Sequence, residues 1–328
     1  MPFDPSSGIA IIEAVQALGS WLEPIMQFFS VLGIAPFYLL VMPALLWCYD
    51  ARLGLQVGFI LLVSTSLNGT LKLFFSMPRP YWISDRVHAL SSELSYGMPS
   101  GHAQNAVTVW GRLAAGLRGK GAYIGAGGLI FLISASRIYL GVHFPRDVIA
   151  GWLVGGLLLG LFLWIEPKVE RLKSAPLGYQ FTLTAAGSAL LLALGVIAWR
   201  HAAALPVPAD WQAAALAATG EHIDPLLLDD LFTVTGAFLG LGWGAIMLSD
   251  WGEFDAGGPV RQRLLRFGIG AAVVFALYAG LGSLEISERA WGAFAWRYLR
   301  YALIGFWISY GGPRVFDRFG LTPSADGG

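Results

Sequence analysis

Three polar clusters interrupt an otherwise apolar sequence. The first reads Lys72-Leu-Phe-Phe-Ser-Met-Pro-Arg79-Pro80 and the second Pro99-Ser100-Gly101-His102. The third reads Ser136-Arg137-Ile-Tyr-Leu-Gly-Val-His143-Phe-Pro-Arg-Asp147. Together they offer cations, imidazoles, a hydroxyl in a turn, and a carboxylate four residues after a histidine. That set can bind a phosphate, attack it, and protonate what leaves.

Each cluster has a physical reading. Lys72 stands seven residues before Arg79, about two helical turns, so a continuing helix would place both on one face. A lysine near a helix end can also simply snorkel to an interface. Ser100-Gly101-His102 reads as a turn opening a helix, where free N–H groups and the positive dipole end meet an anion. Ser100 as a plain N-cap is compatible with that reading. Arg137 is costly inside an apolar run unless it lines a polar cavity or meets an anion, and its planar fork suits phosphate oxygens. His143 and Asp147 are four apart, and Pro145 between them suits a first helical turn. The carboxylate can then bond one ring nitrogen, fix the tautomer and leave the other nitrogen as a nucleophile.

The rest of the chain must position these groups. Of its 328 residues 56% are hydrophobic and only 13% charged, against roughly 25% charged in soluble domains. Several apolar runs reach about 20 residues, enough to cross ~30 Å of hydrocarbon. They are continuous rather than alternating, which favours helices over a barrel. The expected fold is an all-α polytopic membrane bundle of about nine spans. We place these near 33–49, 54–77, 102–118, 121–141, 145–166, 179–200, 227–248, 264–284 and 291–310. Residues 8–31 divide into an apolar and a polar face, with glutamates mid-segment, and are expected to form an interfacial helix. Basic residues alternate between loops. Arg52; Arg112, Arg118 and Lys120; Lys168, Arg171 and Lys173; and Arg261, Arg263 and Arg266 all fall after odd-numbered spans. This puts those loops in the cytoplasm and the clusters on the opposite side.

Other features narrow the class. Net charge is zero, so nothing suggests nucleic acid. The single cysteine, Cys48, excludes an intrachain disulfide and a cysteine-based metal cluster. The first residues carry neither Lys nor Arg, so no cleaved signal peptide is expected. Asn68-Gly69-Thr70 matches a glycosylation pattern but falls inside a span, which makes it a chance match. His201, His222, Asp229 and Asp230 read as a solvated outer loop, and Arg297 and Arg300 as interfacial partners of Glu285 and Glu288. A transporter would spread its polar groups over several helices near mid-membrane; here they gather in one contiguous third.

The spacing Lys-x6-Arg-Pro, Pro-Ser-Gly-His and Ser-Arg-x5-His-x3-Asp resembles the signature of the type 2 phosphatidic acid phosphatase superfamily, which includes glucose-6-phosphatases and vanadium haloperoxidases. Arg79-Pro80-Tyr81-Trp82 and the residues from Ser136 to Pro145 are similar to glucose-6-phosphatase, while Tyr96-Gly97-Met98 resembles the lipid-phosphate branch. The resemblance implies that Lys72, Arg79 and Arg137 hold phosphate oxygens, with Ser100 and the Gly101 amide. It implies that His143 attacks phosphorus and that Asp147 orients it. His102 would protonate the leaving oxygen and then activate water.

The expected function is an integral membrane phosphatase without metal or cofactor. It would act on a phosphomonoester or pyrophosphate of a lipid: phosphatidic acid, a polyprenyl diphosphate or a sphingoid phosphate. A sugar phosphatase is the alternative. Residues 1–166 would form the catalytic bundle and 167–328 a four-span extension that shapes substrate entry or supports an oligomer. The setting would be a bacterial inner membrane with the site facing the periplasm, or the lumen in a eukaryote.

Overall fold

A computed structural model describes residues 5–252, 254–284 and 291–323. The described residues form helices and connecting turns without strands. In order these are α1 (Ser6–Gln16), α2 (Glu23–Val31), α3 (Ala35–Cys48), α4 (Ala51–Phe75), α5 (Pro80–Ile83), α6 (Gly101–Leu117) and α7 (Lys120–Tyr139). Then follow α8 (Pro145–Leu172), α9 (Leu177–Ala203), α10 (Ala209–Thr219), α11 (Asp229–Trp251), α12 (Val260–Gly282), α13 (Trp291–Phe306) and α14 (Gly312–Arg318).

Each of the nine expected spans falls on a helix. Among the described residues six helices are long and apolar enough to cross a membrane, α4, α7, α8, α9, α11 and α12, and the bent N-terminal pair would make a seventh if it is one span. The 14-residue α3 and 17-residue α6 are shorter than the about 20 residues usual for a crossing. The 16-residue α13 runs on into a π-helical turn, Trp307–Gly311. The N-terminal helix is also not continuous. Gly19 takes φ +110°, and α1 meets Ser20–Val31 at 84°. Only glycine adopts that conformation without strain, and Pro24 at the start of α2 suits a fresh helix.

By internal contact the chain divides into two compact units. One holds the chain up to Phe37, Leu67–Gly160 and Leu194–Leu228. Its core gathers Ile12, Leu73, Tyr81, Trp82, Tyr96, Tyr139, Phe144 and Trp211. Here α10, inside what read as a solvated loop, buries Trp211 against Trp82 with ring centroids 6.1 Å apart. Glu221 accepts from the Ser92 hydroxyl at 2.7 Å, and His201, which is exposed, lies with its ring 5.7 Å from Phe74. Helices α6 and α8 meet backbone to backbone: a Cβ on Gly151 would lie 2.7 Å from the Ser100 carbonyl oxygen.

The other unit holds Tyr38–Ser66, Leu161–Ala193 and the chain from Asp229 on. Trp47, Leu46, Leu241, Ile304, Ile308 and Phe316 form its core. Helix α11 lies so close to α13 that a Cβ on Gly240 would collide with the Ala302 carbonyl oxygen. Contact at that range is how small residues let helices associate in lipid. The Ser188 hydroxyl donates to Thr235 O at 2.8 Å and pairs with the Tyr298 hydroxyl at 2.7 Å.

Most of the cations used for orientation fall within helix ends rather than loops, and two of them are buried. Arg112 is buried in α6. Arg266 is buried in α12 and donates to the carbonyls of Asp255, Ala256 and Gly257. Arg297 pairs with Asp229 at 2.6 Å, and Glu285 and Glu288 lie outside the described residues.

Candidate active site

Local sequence explains where each group ends up. Helix α4 runs to Phe75 and carries Lys72 in its last turn. Pro78 and Pro80 remove backbone donors and stop it, and Arg79 becomes the extended residue that opens α5. Ser100 caps α6, its hydroxyl accepting from Ala103 N at 3.5 Å, so Gly101 and His102 occupy the first turn. Arg137 ends α7, and His143 lies in the turn before α8, whose first turn holds Asp147.

Arg79 is fully buried and organises the site. Its Nε donates to Ser95 O at 2.6 Å, and Nη2 to Ser95 Oγ at 3.1 Å and Tyr96 O at 3.2 Å. Its Nη1 donates to Val142 O at 3.0 Å and lies 3.2 Å from His143 Nε2. A guanidinium N–H can only donate. The Nε2 atom therefore accepts, and the ring proton belongs on Nδ1. That atom lies 3.6 Å from Asp147 Oδ2, an ion-pair distance and too long for a hydrogen bond. The same Oδ2 accepts from Phe144 N at 2.9 Å. Asp147 O accepts from Ser100 N at 2.9 Å, tying the second cluster to the third through main chain.

The remaining expected residues join through intermediaries. Lys72 Nζ donates to Ser95 Oγ at 2.9 Å, so Lys72 and Arg79 share one hydroxyl. Arg137 Nη1 donates to Ser30 Oγ at 2.5 Å, and Nη2 pairs with Glu93 Oε1. Glu93 Oε2 lies 3.6 Å from Arg79 Nη2. Gly101 packs against Asn68: a Cβ there would sit 2.9 Å from Asn68 Oδ1. Asn68 in turn donates to Pro99 O at 3.2 Å and Gln104 Oε1 at 2.9 Å.

The electrostatics follow. Burial, then the charges of Arg79, Lys72 and Arg137, hold the His143 imidazole well below the ordinary histidine pKa. Desolvation alone would push the Glu93 carboxyl up, but Arg79 and Arg137 outweigh it and hold it well below the usual carboxylate range. The site thus pairs a neutral imidazole with an ionised carboxylate. His102 Nε2, His143 Nδ1, Arg137 Nε and Asp147 Oδ1 are buried without a hydrogen-bond partner. Such orphans call for an explanation, and a bound ligand is one. Among the described residues no group of three His, Cys, Asp or Glu gathers as a metal ion would need.

Residues 53–171 match the family model of the PAP2 superfamily, and residues 232–325 match that of the PAP2 superfamily phosphatase, transmembrane extension. Phosphatidylglycerophosphatase B of Bacillus subtilis is 32% identical over 166 residues, covering 47% of this chain and 79% of that protein. The chain belongs to the PAP2 superfamily. Glucose-6-phosphatase 3 of Homo sapiens is 29% identical over 266 residues, 72% of this chain and 74% of its own length. Lipid phosphate phosphatase delta of Arabidopsis thaliana is 31% identical over 150 residues, but the chain spans only 36% of that protein.

This PAP2 protein is an integral membrane phosphatase, and its matched segment 53–171 contains every site residue expected from the sequence. It also contains groups that motif reading passed over. Glu93 and Ser95 lie between the first and second clusters with no spacing to mark them. Asn68, dismissed as a chance glycosylation pattern, buttresses the second cluster from within α4. Ser30 comes from α2, far upstream. One signal was available for Glu93: it is the only carboxylate between Arg86 and Arg112, set between two clusters that supply cations.

Proposed function

We propose that this phosphatase hydrolyses the phosphomonoester or pyrophosphate of a membrane lipid at the non-cytoplasmic face, through a phosphohistidine on His143. The supporting observation is the buried Arg79 fork lying 3.2 Å from a neutral His143 Nε2. A guanidinium at that position neutralises phosphate oxygens just where the nucleophile's lone pair points. Phosphoryl transfer needs such positioning and charge neutralisation above all.

The steps balance as follows. His143 Nε2 attacks phosphorus while the bond from phosphorus to the leaving oxygen breaks. His102, protonated once the phosphate's negative charge lies beside it, gives that oxygen a proton and becomes neutral. The Nδ1 proton of His143 stays in place, steadied by Asp147 as positive charge develops on the ring. Water then attacks the phosphohistidine with His102 taking its proton, the N–P bond breaks, and inorganic phosphate leaves. Arg79, Arg137 and Lys72 hold the phosphate oxygens throughout, joined by the Ser100 hydroxyl and Gly101 N–H. No metal ion enters these steps. Residues 1–166 form the catalytic part and 167–328 the extension.

Lipid phosphates are favoured because Phosphatidylglycerophosphatase B of Bacillus subtilis is 32% identical over 166 residues, and a membrane-embedded site suits a substrate that enters laterally. A sugar phosphate is the second reading, supported by the longer similarity to Glucose-6-phosphatase 3, which takes in 72% of this chain.

The test is phosphate release by purified protein in detergent, with a chelator present. The panel is phosphatidic acid, a polyprenyl diphosphate, sphingosine phosphate and glucose 6-phosphate. Release should resist the chelator and fall at least about 10³-fold in His143→Ala, the scale on which loss of a nucleophile acts, while the variant keeps its thermal midpoint. Near wild-type activity in that variant would remove His143 as nucleophile.

A further inference from the structure

The connection between α5 and α6 inserts one carboxylate among the site's cations. Glu93 Oε1 is bonded to Arg137 Nη2, and Oε2 faces Arg79 Nη2 at 3.6 Å. Its backbone is fastened on both sides to one hydroxyl: Glu93 N donates to Tyr81 Oη at 3.1 Å, and Tyr81 Oη donates to Glu93 O at 3.0 Å. The side chain nonetheless keeps 26% of its surface exposed, whereas those of Arg79 and Arg137 keep 0% and 2%. The water-accessible member of the trio is therefore the anion.

A carboxylate offers a guanidinium fork the same pair of oxygens that a phosphate does. We propose that Glu93 is an internal anion that holds the phosphate's place in the empty site, and that a phosphorylated substrate binds by displacing its carboxylate from Arg79 and Arg137. This rests on the phosphatase reading above. Without Glu93 the empty site would leave two buried arginines uncompensated, which proteins avoid. With phosphate in place the carboxylate has no reason to stay: two anions on the same two forks repel. Its exposed edge gives it a way out toward water. Glu93 would thereby set a threshold, since a singly charged carboxylate ligand gains little by replacing another carboxylate, while a phosphate dianion gains more.

The alternative is that Glu93 merely orients the two arginines, and the two roles predict opposite signs. The experiment measures inhibition by inorganic phosphate of the full-length protein in detergent, reading alcohol release from a fluorescent lipid phosphate. In Glu93→Gln the amide keeps the shape and loses the charge. A displaced competitor lowers apparent affinity by the fraction of time it occupies the site, so the inhibition constant should fall by about tenfold or more. An unchanged or raised constant overturns the proposal.

The variant strips two buried arginines of their counter-ion and can fail to fold, so the wild-type protein supplies a second reading. Hydrogen exchange of peptides covering residues 84–99 should quicken when inorganic phosphate saturates the site. Equal or slower exchange overturns the proposal. Wild-type turnover with no shift in Glu93→Gln sinks the placeholder alone. Absence of both turnover and phosphate binding in the wild type sinks the phosphatase reading and the placeholder with it.

Discussion

An imidazole that accepts a hydrogen bond from a buried arginine is already in the state a nucleophile needs. His143 is held neutral by burial and by Arg79, Lys72 and Arg137, so protonation should not switch it off at the ordinary histidine pKa of about 6.5. The acid limb of kcat/KM assigned to His143 should therefore fall below that value; a limb at 6.5 that moves in a His143 variant would contradict it. The same shift has a thermodynamic sign. Unfolded His143 takes up a proton below about 6.5 and folded His143 does not. The unfolded state binds more protons there, so His143 makes folding less favourable as pH falls through that value. The thermal midpoint of His143→Gln should accordingly drop less between pH 7.5 and 5.5 than that of the wild type.

Helices carry the next scale, and their packing rests on bare backbone at a few points. Gly240 on α11 meets the Ala302 carbonyl on α13 with no room for a methyl group. Gly240→Ala should cost about 3 kcal/mol, the upper range for overpacking, read as a lowered thermal midpoint; an unchanged midpoint would mean that α13 can slide away freely. At this scale the sequence was readable wherever apolar length spoke. All nine expected spans are helices, within a few residues of their expected ends. It was unreadable where a short helix depends on a distant partner. Helix α10 exists around Trp211, which needs Trp82 to bury it, and a window of Ala and polar residues announces no such partner. The break at Gly19 was missed because the two-faced pattern continues across it, although Gly19 and Pro24 both mark it. The site divides the same way. Lys72, Arg79, Ser100, His102, Arg137, His143 and Asp147 declare themselves by type and spacing, whereas Glu93, Ser95, Asn68 and Ser30 acquire meaning only through contacts across 14 to 107 positions.

For the whole molecule the open question with the largest consequence is which way it sits in the membrane. The distribution of basic residues predicts that the clusters lie on the non-cytoplasmic side; Arg112 and Arg266, both buried, carry no part of that prediction. Asp85 and Lys120 are exposed on connections assigned to opposite sides. In a Cys48→Ser background, Asp85→Cys should react with an impermeant maleimide on intact cells, and Lys120→Cys only after lysis. The reverse pattern would turn the site toward the cytoplasm.

Helix α8 holds Asp147 in its first turn and continues for 28 residues. At ~1.5 Å per residue that is about 42 Å, but the uncharged run 148–165 accounts for only about 27 Å of it, slightly less than the ~30 Å of a hydrocarbon core. Leu153, Leu157, Leu161 and Trp164 stand exposed along it, as side chains facing lipid would. An apolar run no longer than the layer it crosses is met by local thinning of the bilayer or by snorkelling of its flanking residues, and the strain falls at its ends. Asp147 rides on such an end, 3.6 Å from the imidazole it serves. Membrane thickness should therefore act on that spacing, which would make the surrounding bilayer a mechanical input to turnover.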